Sequence, residues 1–286
     1  MRKRTLAPYL FLLPAMLGLL AFKLYPMVSA AVTSLFALRF GEEGRIFVGM
    51  DNYLVLLREP MFWKSLRNTV VFNLLLDPLT VILAFALALL LNSRLRGIIV
   101  FRSVHFVPVA VSVPTACVLW GIMLNPEKGV VNSLLVSLGL EAQPFLSASS
   151  QSLLSMIAIV AWKSIGYWAI FLLAGLQEVS AQLYEAAAID GATAWEKFTN
   201  VTWPMMKRPV TFVAVAVTSH NFFLFSPMYI LTQGGPEHST NTLMLESFNS
   251  AFLYSDPGRA SSIVVVLIGI TLIMIALQFK FLRAGH

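Results

Sequence analysis

The side chains best suited to binding a small molecule lie inside two long apolar stretches of the sequence. Lys163 and Tyr167 are four residues apart in one stretch, and His220 and Leu224 have the same spacing in the other. On helices this spacing places each pair on one face. Because polar groups are costly to bury in hydrocarbon, they usually face a bundle interior or a watery cavity. Aromatic rings that can stack on sugar rings, beside amide and hydroxyl groups, suit a saccharide, which we take as a hypothesis.

Charged residues in the apolar stretches leave other interpretations open. Lys163 and His220 could form a basic pocket for an anionic glycoside or a phosphate ester. Equally, Lys163 could extend toward the membrane surface while its neighbours only pack helices together. Asp77, which precedes Pro78 in a third apolar stretch, could pair with a basic residue such as Lys163, line a path or mark a water-exposed kink.

The motifs of common enzymes and metal sites are missing from the sequence. There is no G-x-x-x-x-G-K-S/T loop for a nucleotide, no C-x-x-C and no H-E-x-x-H, and the four histidines are scattered. The single cysteine, Cys117, excludes an internal disulfide and is interpreted as a small buried residue. We therefore expect no enzymatic activity and no cofactor in this chain. If ATP drives its function, Mg-ATP must bind to a separate ATPase.

The composition excludes an ordinary soluble domain. Of the 286 residues, 58% are hydrophobic and only 12% are charged, and the mean hydropathy is +0.78. Apolar runs long enough to cross a bilayer as helices predict an all-α, polytopic membrane protein with a single transmembrane domain over residues 1–286. The six predicted spans are residues 10–38, 70–91, 98–124, 153–176, 210–231 and 262–281.

The distribution of basic residues predicts the orientation of these spans. Six spans place both termini on one side of the membrane, and lysine and arginine are more numerous in the segments on that side. Because basic residues are enriched in cytoplasmic segments, both termini are expected in the cytoplasm. The opening Arg2, Lys3 and Arg4 precede an apolar run too long for a signal peptide, so this run is expected to stay as an anchor.

A segment of polar and small residues, 183–204, separates the fourth and fifth predicted spans. Three consecutive alanines favour a short helix, and Gly191 can adopt the left-handed conformation that commonly follows a helix end. Thr193 and Glu196 have the spacing of a capping box, which begins a second helix. Pro204 is expected to limit that helix. The segment is therefore predicted to form a helix–turn–helix outside the hydrocarbon.

This segment resembles the cytoplasmic coupling motif of ABC importer permeases, in which E-A-A-x-x-x-G is followed by a hydrophobic residue and proline. The match extends to the carbohydrate-type form of the motif, and Trp203 departs from it where the family usually has leucine. The matching residues are Glu185, Ala186, Ala187, Asp190, Gly191, Ala192, Phe198 and Pro204. The resemblance implies that Glu185, Ala186, Ala187, Asp190 and Gly191 couple this chain to an ATPase subunit.

The resemblance also implies partners, a location and a mechanism. The expected assembly contains this chain, a second permease, two copies of an ATPase that bind Mg-ATP, and a soluble or lipid-anchored binding protein. It would lie in the inner membrane of a bacterial or archaeal cell and work by alternating access. A stand-alone secondary transporter driven by an ion gradient is the alternative, although it leaves segment 183–204 unexplained.

Similarity to the larger permeases of maltose and glycerol-phosphate importers points to residues that would contact the cargo. The corresponding positions are Lys163, Ser164, Tyr167, His220, Asn221 and Leu224. Asn221 keeps the residue type of the family. His220 stands where an aromatic residue is usual, and Leu224 stands where an amide would bond sugar. The cargo, or its pose, is therefore expected to differ from maltose.

Overall fold

The structure is a computed structural model that describes residues 7–37, 44–93 and 97–283. Within these ranges almost all of the regular structure is helical, which confirms the all-α prediction. The residues group into two compact units by contact: Met1–Trp63 with Glu246–Ile268, and Lys64–Leu245 with Gly269–His286. Three helices pass from one unit into the other, namely α4 (Pro60–Leu91), α13 (Leu243–Phe252) and α14 (Pro257–Arg283).

The first unit contains the N-terminal helices and a small two-stranded sheet. Its elements, besides its parts of α4, α13 and α14, are α1 (Ala7–Leu19), a π turn (Leu20–Leu24), α2 (Tyr25–Thr33), β1 (Phe36–Ala37), β2 (Ile46–Phe47) and α3 (Asp51–Arg58). The two strands are antiparallel, with Phe36 opposite Phe47. The Asn52 side chain donates to the Ser34 and Phe36 carbonyls, at 2.8 and 3.1 Å. These bonds fix the start of the two-stranded sheet against α3.

An ion-pair network secures the same unit. The Arg259 guanidinium lies 2.6 Å from Glu59 Oε2 and 2.8 Å from Glu246 Oε1. It also donates to the Ser250 hydroxyl. Because the Glu246 side chain is only 2% exposed, its charge needs a partner to be tolerated. Arg259 supplies that partner and links α13, α14 and the connection between α3 and α4.

The second unit holds the remaining helices around two buried apolar clusters. Its further elements are α5 (Ile98–Ala110), α6 (Val113–Met123), α7 (Val130–Ser137), a 3-10 turn (Phe145–Ser147), α8 (Ser152–Gln177), α9 (Ala181–Ile189), α10 (Ala194–Lys197), a π turn (Phe198–Thr202), α11 (Trp203–Asn221) and α12 (Ser226–Leu231). One cluster joins α4, α8 and α11 through residues such as Leu172 and Val217. The other joins α4, α8 and α12 through residues such as Phe72 and Met228.

Glycines allow α8 to approach its neighbours closely. A Cβ atom on Gly175 would lie 2.8 Å from Pro209 Cγ of α11, and one on Gly166 would overlap the His105 carbonyl oxygen of α5. Small residues at such contacts let helix backbones pack tightly inside a membrane. Both glycines therefore fix the position of the helix that carries Lys163.

The described residues contain four helices long and apolar enough to cross a membrane. They are Leu10–Thr33, Pro60–Leu91, Ser152–Gln177 and Pro257–Lys280. A fifth candidate is the pair Ser103–Ala110 and Val113–Met123, which is bent by 106°. Residue 38, the predicted end of the first span, and the basic residues Arg2, Lys3 and Arg4 lie outside the described residues.

The first predicted span, residues 10–38, ends early, since its helix stops at Thr33 and Phe36–Ala37 form β1. Two other predicted spans each contain a helix break. Residues 98–124 divide at Ser112, whose hydroxyl accepts from the Thr115 amide and starts α6 with Pro114 in its first turn. Residues 210–231 divide after Asn221, and α12 begins at Ser226 with Pro227 in its first turn. A proline cannot donate the amide hydrogen that a continuous helix needs.

Candidate functional site

Segment 183–204 forms the predicted helix–turn–helix. Helix α9 ends at Ile189, and Gly191 follows with a φ of +78°. The Gly191 amide donates to the Ala188 carbonyl at 3.1 Å, and the Ala192 amide donates to Ala187 at 2.9 Å. This pair of bonds is a Schellman motif, which satisfies the last carbonyls of the helix. The prediction that Gly191 ends α9 in a left-handed conformation is confirmed.

The predicted capping box is also present. The Glu196 carboxylate accepts from the Thr193 amide at 2.7 Å, and the Glu196 amide donates to the Thr193 hydroxyl at 3.3 Å. Bonds from the backbone and side chain of Thr193 lower the pKa of Glu196. The expectation that Pro204 limits this helix is wrong, since the backbone continues from α10 through a π turn into α11. Pro204 lies in the first turn of α11, directly after the wider π turn.

The helix–turn–helix of segment 183–204, which we name the hairpin, exposes apolar side chains to its surroundings. Ile189 is 87% exposed and Trp195 is 71% exposed. Of the five predicted coupling residues, Ala187 is half-buried and Glu185, Ala186, Asp190 and Gly191 are exposed. Because the caps fix its shape, the hairpin is an ordered surface with uncovered apolar groups, as protein–protein contact sites often are.

Five of the six predicted cargo residues line one cavity, which we name the lysine cavity. They are Lys163, Ser164, His220, Asn221 and Leu224, and Val113, Ala116, Cys117, Ile159, Val160 and Pro227 complete the lining. Its volume is about 50 Å³, which is room for a few water molecules. Lys163 Nζ donates to the Val109 carbonyl at 3.3 Å. In the described part of the chain no carboxylate pairs with this lysine.

Tyr167 is the predicted residue that lies elsewhere. Its ring packs edge-on against Trp168 and Phe171, with centroid distances of 4.9 and 5.2 Å, and it does not line the lysine cavity. Helical spacing from Lys163 places it one turn further along the same helix. The aromatic neighbours then hold its ring.

A buried polar network lies behind the lysine cavity. Asp77 is 7% exposed and accepts hydrogen bonds from the Thr218 hydroxyl at 2.8 Å and the Asn221 side-chain nitrogen at 2.7 Å. Gln278 Nε2 donates to the same Thr218 hydroxyl at 2.6 Å. The suggested pairing of Asp77 with Lys163 and the suggested water-exposed kink are therefore both wrong. Thr218 lies on α11 and Gln278 lies on α14, and both are far from Asp77 in the sequence. Residue spacing therefore gave no signal that these side chains would meet.

The network fixes how Asn221 presents its amide. Because the nitrogen donates to Asp77, the oxygen Oδ1 is the end that stays available. This oxygen is buried and has no hydrogen-bond partner within the described residues. A buried acceptor without a partner is costly. Ser164 gives its one hydroxyl hydrogen to the Ala161 carbonyl at 3.3 Å and keeps acceptor capacity. The lysine cavity is thus lined by a donor, Lys163, and by two residues with acceptor oxygens, Ser164 and Asn221.

No group of three or more His, Cys, Asp or Glu side chains in the described ranges is placed to hold a metal ion. The lysine cavity offers hydrogen bonds and positive charge, which are means of binding a polar molecule.

Known proteins provide an independent comparison. Residues 78–283 match the family described as binding-protein-dependent transport system inner membrane component. The lactose transport system permease protein of Rhizobium radiobacter is 33% identical over 283 residues, which cover 96% of this chain and 93% of that protein. The sn-glycerol-3-phosphate transport system permease protein of Agrobacterium fabrum is 32% identical over 280 residues, which cover 96% of this chain and 94% of that protein.

A solved structure has the same fold. It is a chain of a bacterial alginate ABC transporter in complex with an alginate pentasaccharide-bound periplasmic protein. The TM-score is 0.84 at 22% identity, and the superposition covers 99% of this chain and 96% of that chain. Nearly the whole of the present chain therefore has a counterpart in a known fold.

Proposed function

From the premise that this chain belongs to the family of binding-protein-dependent transport system inner membrane components, we propose that it carries a sugar or glycoside through the lysine cavity. The chain is a carbohydrate-type ABC importer permease with the type I importer fold, and ATP is hydrolysed by a separate ATPase subunit. This membership sets aside the alternative of a stand-alone secondary transporter.

The observation that carries the proposed cargo is the convergence of α8 and α11 at the lysine cavity. These two helices flank the hairpin, and each contributes polar side chains to one small space. The unpartnered Asn221 Oδ1 and the Ser164 hydroxyl oxygen can accept from sugar hydroxyls, while Lys163 can donate. A site built to bond hydroxyl groups discriminates strongly against ligands that lack them.

The proposed assembly follows from the surface of the hairpin. We expect an ATPase subunit to cover Ile189 and Trp195, and we expect Glu185 and Gly191 to lie at that contact. The complete importer would contain a second, different permease, two ATPase copies that bind Mg-ATP, and a binding protein. With the hairpin on the ATPase side, both termini lie in the cytoplasm of a bacterial or archaeal cell, as the excess of basic residues on that side also suggests.

In an alternating-access mechanism, the lysine cavity can be small in one state and wide enough for cargo in another. Sites for ligands of drug size usually measure about 300–1,000 Å³, so the cavity of about 50 Å³ must widen to admit a sugar. ATP binding can drive that change only if the ATPase contacts the hairpin differently in its two states. The second permease can complete the site when the two subunits separate at one membrane face.

A second cargo class, an anionic glycoside or a sugar or polyol phosphate ester, is favoured by one observation. Lys163 and His220 both line the lysine cavity, and Lys163 donates only to a backbone carbonyl among the contacts seen there. A related permease is named for sn-glycerol-3-phosphate transport. A phosphate or carboxylate on the cargo would give the lysine a charged partner.

The deciding experiment is cargo-dependent ATP hydrolysis by the complete importer in lipid nanodiscs. The binding protein is loaded in turn with neutral disaccharides, an oligouronate and sn-glycerol 3-phosphate. Stimulation by a neutral sugar supports the first cargo class, and stimulation restricted to the anionic ligands supports the second. An ATPase-inactive complex serves as the control. Cargo uptake by that control in sealed proteoliposomes, or the absence of stimulation by every ligand in nanodiscs, contradicts the proposed function.

A further inference from the structure

A second cavity lies next to the lysine cavity along α6 and α8. This glutamine cavity has a volume of about 470 Å³, which is within the range of ligand sites. It is lined by Trp120, Leu124, Gln143, Phe145, Gln151, Leu154, Ser155, Ala158 and Ile159. These residues belong to the end of α6, the connection that follows α7 and the start of α8.

The two cavities are consecutive parts of one inter-helix face. On α6, Val113 and Cys117 line the lysine cavity, and Trp120 and Leu124 line the glutamine cavity at the next turns. Their spacing of three or four residues keeps them on one face. On α8, Ile159 lines both cavities.

The contribution of α8 gives the length of this face. Residues 151–158 line the glutamine cavity, and residues 160–164 line the lysine cavity. At 1.5 Å per residue, this part of α8 is about 20 Å long. The face is therefore long enough to hold two consecutive ligand positions.

The lining of the glutamine cavity suits a hydroxylated ligand. Gln151 Nε2 donates to Gln143 Oε1 at 2.8 Å, and Gln143 Nε2 donates to the Glu141 carbonyl at 3.2 Å. Each amide nitrogen carries two hydrogens, so one on each remains for a ligand. The indole of Trp120, held edge-on by Trp162 at 5.4 Å, adds a broad aromatic surface. Amide donors beside an aromatic ring match the alternating polar and apolar faces of a sugar.

The backbone near these side chains is held in a strained form. Phe145 has a φ of +43° although it is not glycine, a conformation that costs about 1–3 kcal/mol. Its amide donates to Gln151 Oε1 at 3.0 Å. The glutamine pair thus holds the loop that closes one wall of the cavity. Strain kept in place by such contacts is common where a loop binds a ligand.

We infer that the glutamine cavity is a waiting site for the cargo, from which a saccharide passes along the α6–α8 face into the lysine cavity. The inference rests on the proposed function, since it takes the cargo class and the orientation from there. With the hairpin in the cytoplasm, the glutamine cavity lies toward the outer side, where the binding protein delivers its ligand.

A thiol-access experiment tests the path without any cargo. Cys117 is the only cysteine of the chain and lines the lysine cavity. The complete importer in nanodiscs is treated with a charged methanethiosulfonate during ATP turnover, and labelling of this chain is followed by mass spectrometry. Ala158→Trp fills the glutamine cavity and should slow labelling at least about fivefold, because a packed interior leaves no route for the reagent.

Two matched variants keep that result interpretable. Val118→Trp places the same ring on an exposed position of α6 that lines neither cavity, and it should leave the labelling rate unchanged. Leu154→Ala trims an exposed wall residue and should speed labelling. Equal rates in all variants, or labelling by a lipid-soluble maleimide alone, overturns the inference, because the face would then be closed to water.

A second experiment tests the saccharide chemistry with the ligand that stimulates the importer most. At saturating loaded binding protein, Trp120→Ala should reduce uptake about fivefold, and Trp120→Phe should retain most of it, because a ring stacks on sugar through its face. Equal uptake by both variants contradicts a role for the ring. If no ligand stimulates hydrolysis, the proposed function fails, while the thiol result still decides whether the path exists.

Discussion

The hairpin and the lysine cavity are built in opposite ways. The bonds that cap the two helices of the hairpin join residues a few positions apart, such as Thr193 with Glu196 and Ala192 with Ala187. The longer bond between the Tyr184 and Thr202 hydroxyls, 2.9 Å, stays within the same segment. The polar bonds behind the cavity join residues 141 and 144 positions apart, from Asp77 to Thr218 and Asn221. The hairpin can therefore keep its shape while its partner moves, whereas the cavity depends on the packing of whole helices. Substitutions in the hairpin should therefore impair coupling to the ATPase, whereas substitutions around the lysine cavity should impair folding.

The largest expected effect is loss of coupling without loss of folding in the hairpin. Gly191→Pro imposes a φ near −65° on a residue whose φ is +78°. Uptake of cargo should fall more than about a hundredfold because the ATPase no longer finds the hairpin surface, an effect of about 3 kcal/mol. Membrane insertion, measured by cell fractionation, should be normal. Gly191→Asn, which tolerates the left-handed region, is the control.

Glu185→Lys changes the charge of the same surface and is also expected to uncouple uptake. Normal uptake by both Gly191→Pro and Glu185→Lys would show that the hairpin is not the contact through which ATP acts.

In the cavity region, removal of a buried carboxylate should destabilise the fold itself. Asp77→Leu leaves the Thr218 hydroxyl and the Asn221 amide without their acceptor, at a cost of about 3 kcal/mol. The thermal midpoint of the purified complex should fall together with its uptake. Asp77→Asn keeps an acceptor oxygen and should lose less of both. A stable Asp77→Leu complex with normal uptake would mean that the network is dispensable.

A smaller effect of the same kind is expected where α8 passes α5. Gly166→Ala introduces a methyl group against the His105 carbonyl, and the displaced helix should cost about 1–3 kcal/mol. Gly269→Ala is the matched control, because nothing lies within 4 Å of its added Cβ. Chemical denaturation of the two variants in detergent should separate them. Equal midpoints would show that α8 can shift without loss of packing.

The smallest effect concerns the pH response of the hairpin. Hydrogen bonds from Thr193 lower the pKa of Glu196, so their contribution is complete above the usual glutamate range and is lost as the pH falls through the lowered value. Deuterium exchange at residues 193–197, corrected for intrinsic rates, should rise as the pH falls through that lowered pKa. Glu196→Gln should remove most of this pH dependence. Unchanged protection in acid would mean that the capping box does not hold α10.

The same contrast explains how much of the molecule the sequence could predict. The Schellman turn at Gly191 and the capping box depend on neighbouring residues, so their residue types alone identified them. The six cargo positions came from a resemblance, and five of them meet in the structure. The partners of Asp77 and the aromatic contacts of Tyr167 depend on which helices pack together, which apolar periodicity does not encode.

The breaks inside two predicted spans are an intermediate case. Ser112 and Pro114 were visible as a cap and a helix start, as was Pro227. Their signals were hidden by uniformly apolar surroundings, in which hydrophobic length dominates the prediction of a span. A search for capping residues within apolar runs would have found the break at Ser112, whereas α12 has no side-chain cap and only Pro227 marked its start.

Ile189 and Trp195 also have a consequence for how cells make this subunit. With the hairpin on the cytoplasmic side and covered by an ATPase, as proposed above, a newly synthesised copy without its partner would expose both side chains, 87% and 71% exposed, to chaperones and proteases. We expect such orphan copies to be degraded quickly, so that the abundance of the chain is set by the supply of its partner and not by its own rate of synthesis. Assembly would then act as the quality check on production.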